Sequence, residues 1–126
     1  MTPADFIKGQ LCLFAWREAN QYGGITNMEA VLYVLRNRYR KGWGEWLHLV
    51  AKSDSEELPD PRNLEFQQLL QKVDHIFDGT APDRMTEGAL YYSDLNHASQ
   101  HFLETIARQP EEHPRCAVIG PVYFFR

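Results

Sequence analysis

A mainly helical α+β domain is the fold class this sequence predicts, with a small extended region supplied by its last third. Three observations lead there. Apolar residues recur at helical spacing behind recognisable cap residues through much of the chain. The Gly23-Gly24 pair divides the first periodic stretch in two, as a helical hairpin requires. The chain closes on C-A-V-I-G-P-V-Y-F-F-R, two β-rich runs broken by Gly120-Pro121, which read as a hairpin or a sharply bent strand.

The totals set the outer bounds. The 126 residues suit one domain, 1–126, able to bury roughly two thirds of its unfolded surface. A formal charge of -4 argues against nucleic acid as a partner, because phosphate binding needs a clustered basic surface. The basic residues cluster once, at Arg36, Arg38, Arg40 and Lys41, where a solvated helix end near the negative dipole pole is expected. No stretch is long and apolar enough to span a bilayer. The N-terminus M-T-P-A-D-F-I-K-G-Q lacks a basic segment followed by an apolar run, so no secretory signal is expected: the chain is made in the cytoplasm or has lost its signal. Cys12 and Cys116 are too few for a disulfide framework, and Cys12 reads as a small buried hydrophobe.

The first helix is expected from Thr2, a cap, through Pro3 at the first helical position to about Ala19, with Asp5 close to a capping box. Glu18 stands at its end. Steps of four, three and four residues back give Phe14, Leu11 and Ile7, which would place the acid on an apolar ridge. Such a carboxyl has two explanations: hydrogen bonds hold it for structural reasons, or burial keeps it protonated for general acid work.

After the glycine pair, Thr26 or Asn27 should cap a second helix from Met28 to about Arg40, with Met28, Val31, Leu32, Leu35 and Tyr39 at apolar positions. The tryptophan-bearing K-G-W-G-E-W-L-H-L-V-A-K predicts a short helix, Glu45 to Lys52, with Trp43 or Trp46 either buried or offered to a sugar. A polar, proline-bearing loop follows. Asp60 then caps and Pro61 opens the most regular helix, whose stripe is Phe66, Leu69, Leu70, Val73, Ile76 and Phe77 and whose end is Gly79. G-A-L-Y-Y-S-D reads as a short extended segment, and Leu95, Ala98, Phe102 and Ile106 as a last helix ending before Pro110.

Three pieces together resemble the SleB/CwlJ-type cell wall hydrolases. Glu18-Ala19, the Gly23-Gly24 loop, Ala30-Val31 and Asn37-Arg38 are similar to that family's first signature. Gly88-Ala89-Leu90-Tyr91-Tyr92 matches its second nearly letter for letter, and Ile119-Gly120 with Tyr123-Phe124 matches its third loosely. The resemblance implies a lysozyme-like catalytic domain acting on peptidoglycan glycan strands, as in spore-cortex-lytic enzymes and phage-type lysins. Glu18 would be its acid. It would protonate the oxygen between N-acetylmuramic acid and N-acetylglucosamine and then take the proton of the muramyl 6-hydroxyl, closing a 1,6-anhydro ring as a lytic transglycosylase does. No metal or other cofactor is implied.

The chemistry suits a single acid, because the intramolecular hydroxyl replaces the water that a paired carboxylate would activate. Should a second acid exist, Asp83, Glu87 and Asp94 flank the tyrosine motif. Tyr91 and Tyr92 alternate across an extended segment, so one should pack inward and the other face a sugar. Tyr22 and Trp43 complete the aromatic candidates for substrate binding. Asn37 is expected to hold the loop after Glu18 by side-chain hydrogen bonds, and Arg38 to make a structural salt bridge. The chain departs from the family where R-G-E becomes Asn20-Gln21-Tyr22 in a loop one residue longer, which puts the level or outcome of activity at stake.

Two other classes stay open. His97, His101, Glu104, His113 and Cys116 contain enough ligand types for a zinc amidase, though without H-E-x-x-H. Alternatively, the aromatic residues serve a catalytically inactive binding or adaptor module.

Overall fold

The computed structural model describes residues 3–19, 24–43, 62–77 and 82–126. They form a mainly helical α+β arrangement: helices α1 (Pro3–Ala19), α2 (Ile25–Arg40) and α3 (Leu64–Phe77), then a small antiparallel sheet. Thr2, Asn20, Trp46, the expected Glu45–Lys52 helix, Asp60, Pro61 and Gly79 lie outside the described residues.

Helix α2 is the spine. One side buries Met28, Val31, Leu32 and Leu35 against Leu11, Cys12, Ala15 and Ala19 of α1 and Leu69, Val73 and Ile76 of α3. The small Cys12, Ala15 and Ala19 lie in this cluster with no exposed surface. Trp16 of α1 meets Phe66 of α3 edge to face, centroids 5.8 Å apart. Ion pairs Lys8–Asp74 and Lys72–Glu29 join the helices at the surface, where such pairs contribute little.

The other side of α2 buries Ala30 and Val34 against Ala89, Val122 and Phe124, the underside of the sheet. A helix apolar on two sides has no strong single-sided stripe, and it must lie between two layers. The strands are β1 (Tyr91–Ser93), β2 (Arg115–Ile119) and β3 (Val122–Phe125), in the order β1-β3-β2. Strand β3 is central and most buried, which fits its continuous V-Y-F-F run. Of the two readings of the C-terminal run, strands β2 and β3 form the hairpin, Ile119 opposite Val122, with Gly120 at φ 57 in the first loop position. Only glycine takes that conformation without strain, as the first residue of a type II′ turn does. The register shifts between Arg115 and Ala117, leaving Cys116 in a bulge.

Several local expectations are corrected. Helix α2 begins at Ile25, not Met28, and its cap residue is Gly24 rather than Thr26 or Asn27. Gly24 adopts φ 92, ψ -149, a region closed to residues with a Cβ, so backbone geometry overrides side-chain capping there. Asn63 caps α3 through Oδ1, which accepts from the Phe66 amide at 3.0 Å. Its stripe is buried at Leu69, Val73 and Ile76, whereas Leu70 is exposed. Tyr39, assigned to the apolar stripe of α2, is also exposed. Arg36 is fully buried instead of solvated: its guanidinium lies 4.7 Å from the Tyr33 ring centroid and donates to the Ile76 carbonyl at 3.4 Å.

The last helix is shorter than predicted. It starts at Gln100 with Ser99 as cap, runs to Phe102 as α4, and widens into a π-helical stretch, Leu103–Ala107. Leu95 is not helical at all. It has φ 62, and the Asn96 amide reaches over it to the Asp94 carbonyl at 2.7 Å, a γ-turn with a strained centre.

Candidate functional site

The segment preceding β1 is built around one carboxylate. Asp83 Oδ1 accepts from the amides of Met85 (3.1 Å) and Thr86 (2.8 Å). Its Oδ2 accepts from the Gly88 amide (3.1 Å), the Thr86 hydroxyl and Asn37 Nδ2 (2.9 Å). Burial pushes the Asp83 carboxyl up, but the bonds from Thr86, Asn37 and Gly88 outweigh it and hold the group below the ordinary aspartate range. A carboxylate so engaged is a structural anion. It is not the proton donor that a second catalytic acid would be.

Adjacent residues of α2 then fasten adjacent carbonyls of the loop. Asn37 Nδ2 donates to Ala89 O at 3.0 Å, and Arg38 Nε donates to Leu90 O at 2.6 Å. The Leu90 amide in turn donates to Phe125 O at 2.9 Å, joining the loop to the sheet. Two expectations concern these residues. Asn37 anchors residues 83–89, the loop after Glu18 that it was expected to hold lying outside the described residues, and Arg38 binds a carbonyl where a salt bridge was expected. The N-R pair and the A-L pair, separate in sequence, are one hydrogen-bonded unit.

That unit fixes the direction of the tyrosines. Tyr92 turns inward, touching both apolar clusters, with its ring 6.2 Å from Phe124. Tyr91 turns to the opposite face of the strand, half-buried, and becomes the centre of an aromatic group. Its ring lies 5.8 Å from Trp43 and meets His113 edge-on at 5.1 Å, while the Arg38 guanidinium lies 6.0 Å from its centroid. Trp43 reaches it because Gly42, at φ 80, turns the chain after α2, and the Trp43 amide donates to Arg38 O at 3.1 Å. Tyr22, the remaining aromatic candidate, lies outside the described residues.

Glu18 is exposed, which corrects the ridge assignment. Leu11 is buried and Phe14 half-buried, but the core-facing line of α1 continues through Ala15 to Ala19, turning Glu18 to solvent. The side chain of Ile7 lies outside the described residues. Beyond Glu18, the chain re-enters α2 at Gly24, where a Cβ would stand 3.4 Å from Glu65 Oε2. Glu65 thus brings a carboxylate to the start of α2. Sequence gave no signal of this, because nothing local links residues on different helices.

Glu87 is exposed with φ 56, and its carbonyl accepts from Arg126 Nε at 2.9 Å. Asp94 is buried; its two oxygens accept from the His97 amide (2.9 Å) and meet His97 Nδ1 (2.6 Å). The histidines of the zinc alternative are dispersed. His97 and His101 are exposed, His113 faces Tyr91, and the Cys116 thiol donates to Thr86 O at 3.0 Å. Among the described residues no three His, Cys, Asp or Glu side chains are grouped to hold a metal ion. None of the described helices is long and apolar enough to cross a membrane.

Comparison with family models, with curated proteins and with solved structures finds no match to this chain. The likeness to the cell wall hydrolases therefore rests on the motifs quoted above.

Proposed function

We propose that this domain cleaves peptidoglycan glycan strands between N-acetylmuramic acid and N-acetylglucosamine, with Glu18 as the acid and base at the Gly24 end of α2 and Tyr91 as the centre of a sugar-binding face at its Arg38 end, roughly 20 Å along the helix and thus several sugars away on one strand. One observation carries most weight: Tyr91 is held between Trp43 and His113 on the side of the strand away from the core. Rings with one apolar face and a polar edge suit a pyranose, which has the same two characters. The Asn37–Asp83 and Arg38–Leu90 bonds preorganise that face, so substrate binding need not order it.

Glu18 at the end of α1 is accessible to a polymer too large to enter a closed cavity. As an acid it needs desolvation when protonating the glycosidic oxygen, and the bound sugar would supply that by excluding water. After departure of the N-acetylglucosamine oxygen with that proton, the carboxylate takes the muramyl 6-hydroxyl proton as the ring closes. The exposure of Glu18 also favours a second reading, a glycan-binding module without catalysis.

Digestion of purified peptidoglycan by the wild type and by Glu18→Gln separates the two. Anhydro-muramyl products from the wild type alone support transglycosylation, and reducing ends support hydrolysis. Pelleting with peptidoglycan but no release from either protein supports the binding module. Neither release nor pelleting overturns both.

A further inference from the structure

Beside His113, on the same face of the sheet as Tyr91, lies a cleft of about 280 Å³, lined by Leu95, Ala107, Pro110, His113, Arg115 and Phe125. Its walls join four parts of the chain: the γ-turn at Leu95, the π-helical stretch, the loop after it and the sheet. Two polar groups stand in an otherwise apolar lining. Arg115 is exposed and has its guanidinium 5.4 Å from the Tyr123 ring centroid, a contact that restrains the side chain.

His113 is fixed more closely. Its Nδ1 lies 2.9 Å from the carbonyl oxygen of Arg126, which can only accept, so Nδ1 carries the hydrogen. In the neutral ring Nε2 is then an acceptor. The cleft thus combines the Arg115 guanidinium, the His113 imidazole and an apolar wall.

We infer that this cleft binds a small monocarboxylate with a hydrogen-bond donor beside the carboxyl group and a short aliphatic body, such as an N-acylated amino acid or a 2-hydroxy acid. Arg115 takes the carboxylate through its paired N–H groups. His113 Nε2 accepts from the neighbouring amide or hydroxyl, and the aliphatic body lies against Leu95, Ala107 and Phe125. A single lining arginine matches one negative charge; a phosphate dianion would be left partly uncompensated, with Glu111 and Glu112 exposed on the adjoining loop. The strained turn at Leu95 places a bulky apolar side chain on the wall at a conformational cost, as backbone strain does at ligand sites. This inference does not depend on cleavage by Glu18.

The test is an NMR titration of the full chain with N-acetyl-alanine, following the His113 ring and Arg115 side-chain signals. The neutral methyl ester and inorganic phosphate are run in parallel. Saturable shifts with the acid, none with the ester, weaker binding of phosphate, and at least about a tenfold loss of affinity in Arg115→Gln are expected. Ala107→Phe, which fills the cleft, should abolish the shifts, with unchanged thermal unfolding as the control on folding. Equal response to the ester, tighter binding of phosphate, affinity unaffected by Arg115→Gln, or no saturable shift with the wild type would each overturn the inference.

Discussion

Asn37 and Asp83 meet through a 2.9 Å hydrogen bond that ties the middle of the protein, helix α2, to the loop presenting its aromatic face. Asn37 uses the same amide nitrogen to hold Ala89 O, so one side chain closes the loop at both ends. Replacing Asp83 by Ala leaves the Thr86, Met85 and Gly88 amides and Asn37 without that acceptor. A loss of about 2–3 kcal/mol is expected, since the lost bonds are to a charged group. Urea unfolding of both proteins measures it; a change below a few tenths would remove Asp83 from its central place.

The same carboxylate makes stability depend on pH. Its folded-state pKa lies below the unfolded value, so the stabilisation is complete above the unfolded carboxyl range, near pH 4. It is lost as pH falls through the folded value. Asp83→Asn should therefore unfold with a shallower acid dependence than the wild type, while being less stable at neutral pH. Parallel acid titrations by circular dichroism would expose the reverse order if it held.

Gly24 stands in a conformation available essentially to glycine alone, with Glu65 against the position a Cβ would take. Gly24→Ala should destabilise by about 1–3 kcal/mol. A Cβ would meet Glu65 Oε2 only at 3.4 Å, an ordinary contact, so the cost is backbone strain and Glu65→Ala in the double variant should not recover it. Full recovery would show that strain plays no part.

Tyr91 and Tyr92 should divide stability from binding. Tyr92→Ala removes a ring from the junction of two apolar clusters and should cost about 3–4 kcal/mol. Tyr91→Ala should cost less and should weaken pelleting with peptidoglycan, whereas Tyr92→Phe should leave pelleting intact. Equal effects of the two alanine variants on pelleting at matched folding would count against a Tyr91-centred face.

Cys12 is buried beneath Leu69, and burial, with a smaller contribution from Asp74, pushes its thiol up to about 12. Alkylation of the native protein at mildly alkaline pH should spare it until the chain unfolds. Cys116 is half-buried, and its thiol is also raised chiefly by burial, so it should label slowly but ahead of Cys12. Peptide mapping after timed labelling tests the order.

Much of this architecture was legible along the chain because its causes are local or periodic. The helix from Pro3 to Ala19, the buried stripe Leu69-Val73-Ile76 and the hairpin across Gly120-Pro121 follow from spacing, capping and turn chemistry, which act within a few residues. The alternation of Tyr91 and Tyr92 is equally local, since strand geometry alone sends them to opposite faces. What the sequence determined, then, is which segments are helical or extended and that the tyrosines part. The tertiary structure decided which tyrosine faces outward, that Asn37 and Arg38 grasp Ala89 and Leu90, that Glu18 faces solvent, and that His113 both meets Tyr91 and lines the cleft beside it. Those outcomes depend on long-range hydrogen bonds and on packing α2 on both sides, and neither leaves a mark at fixed spacing in the chain.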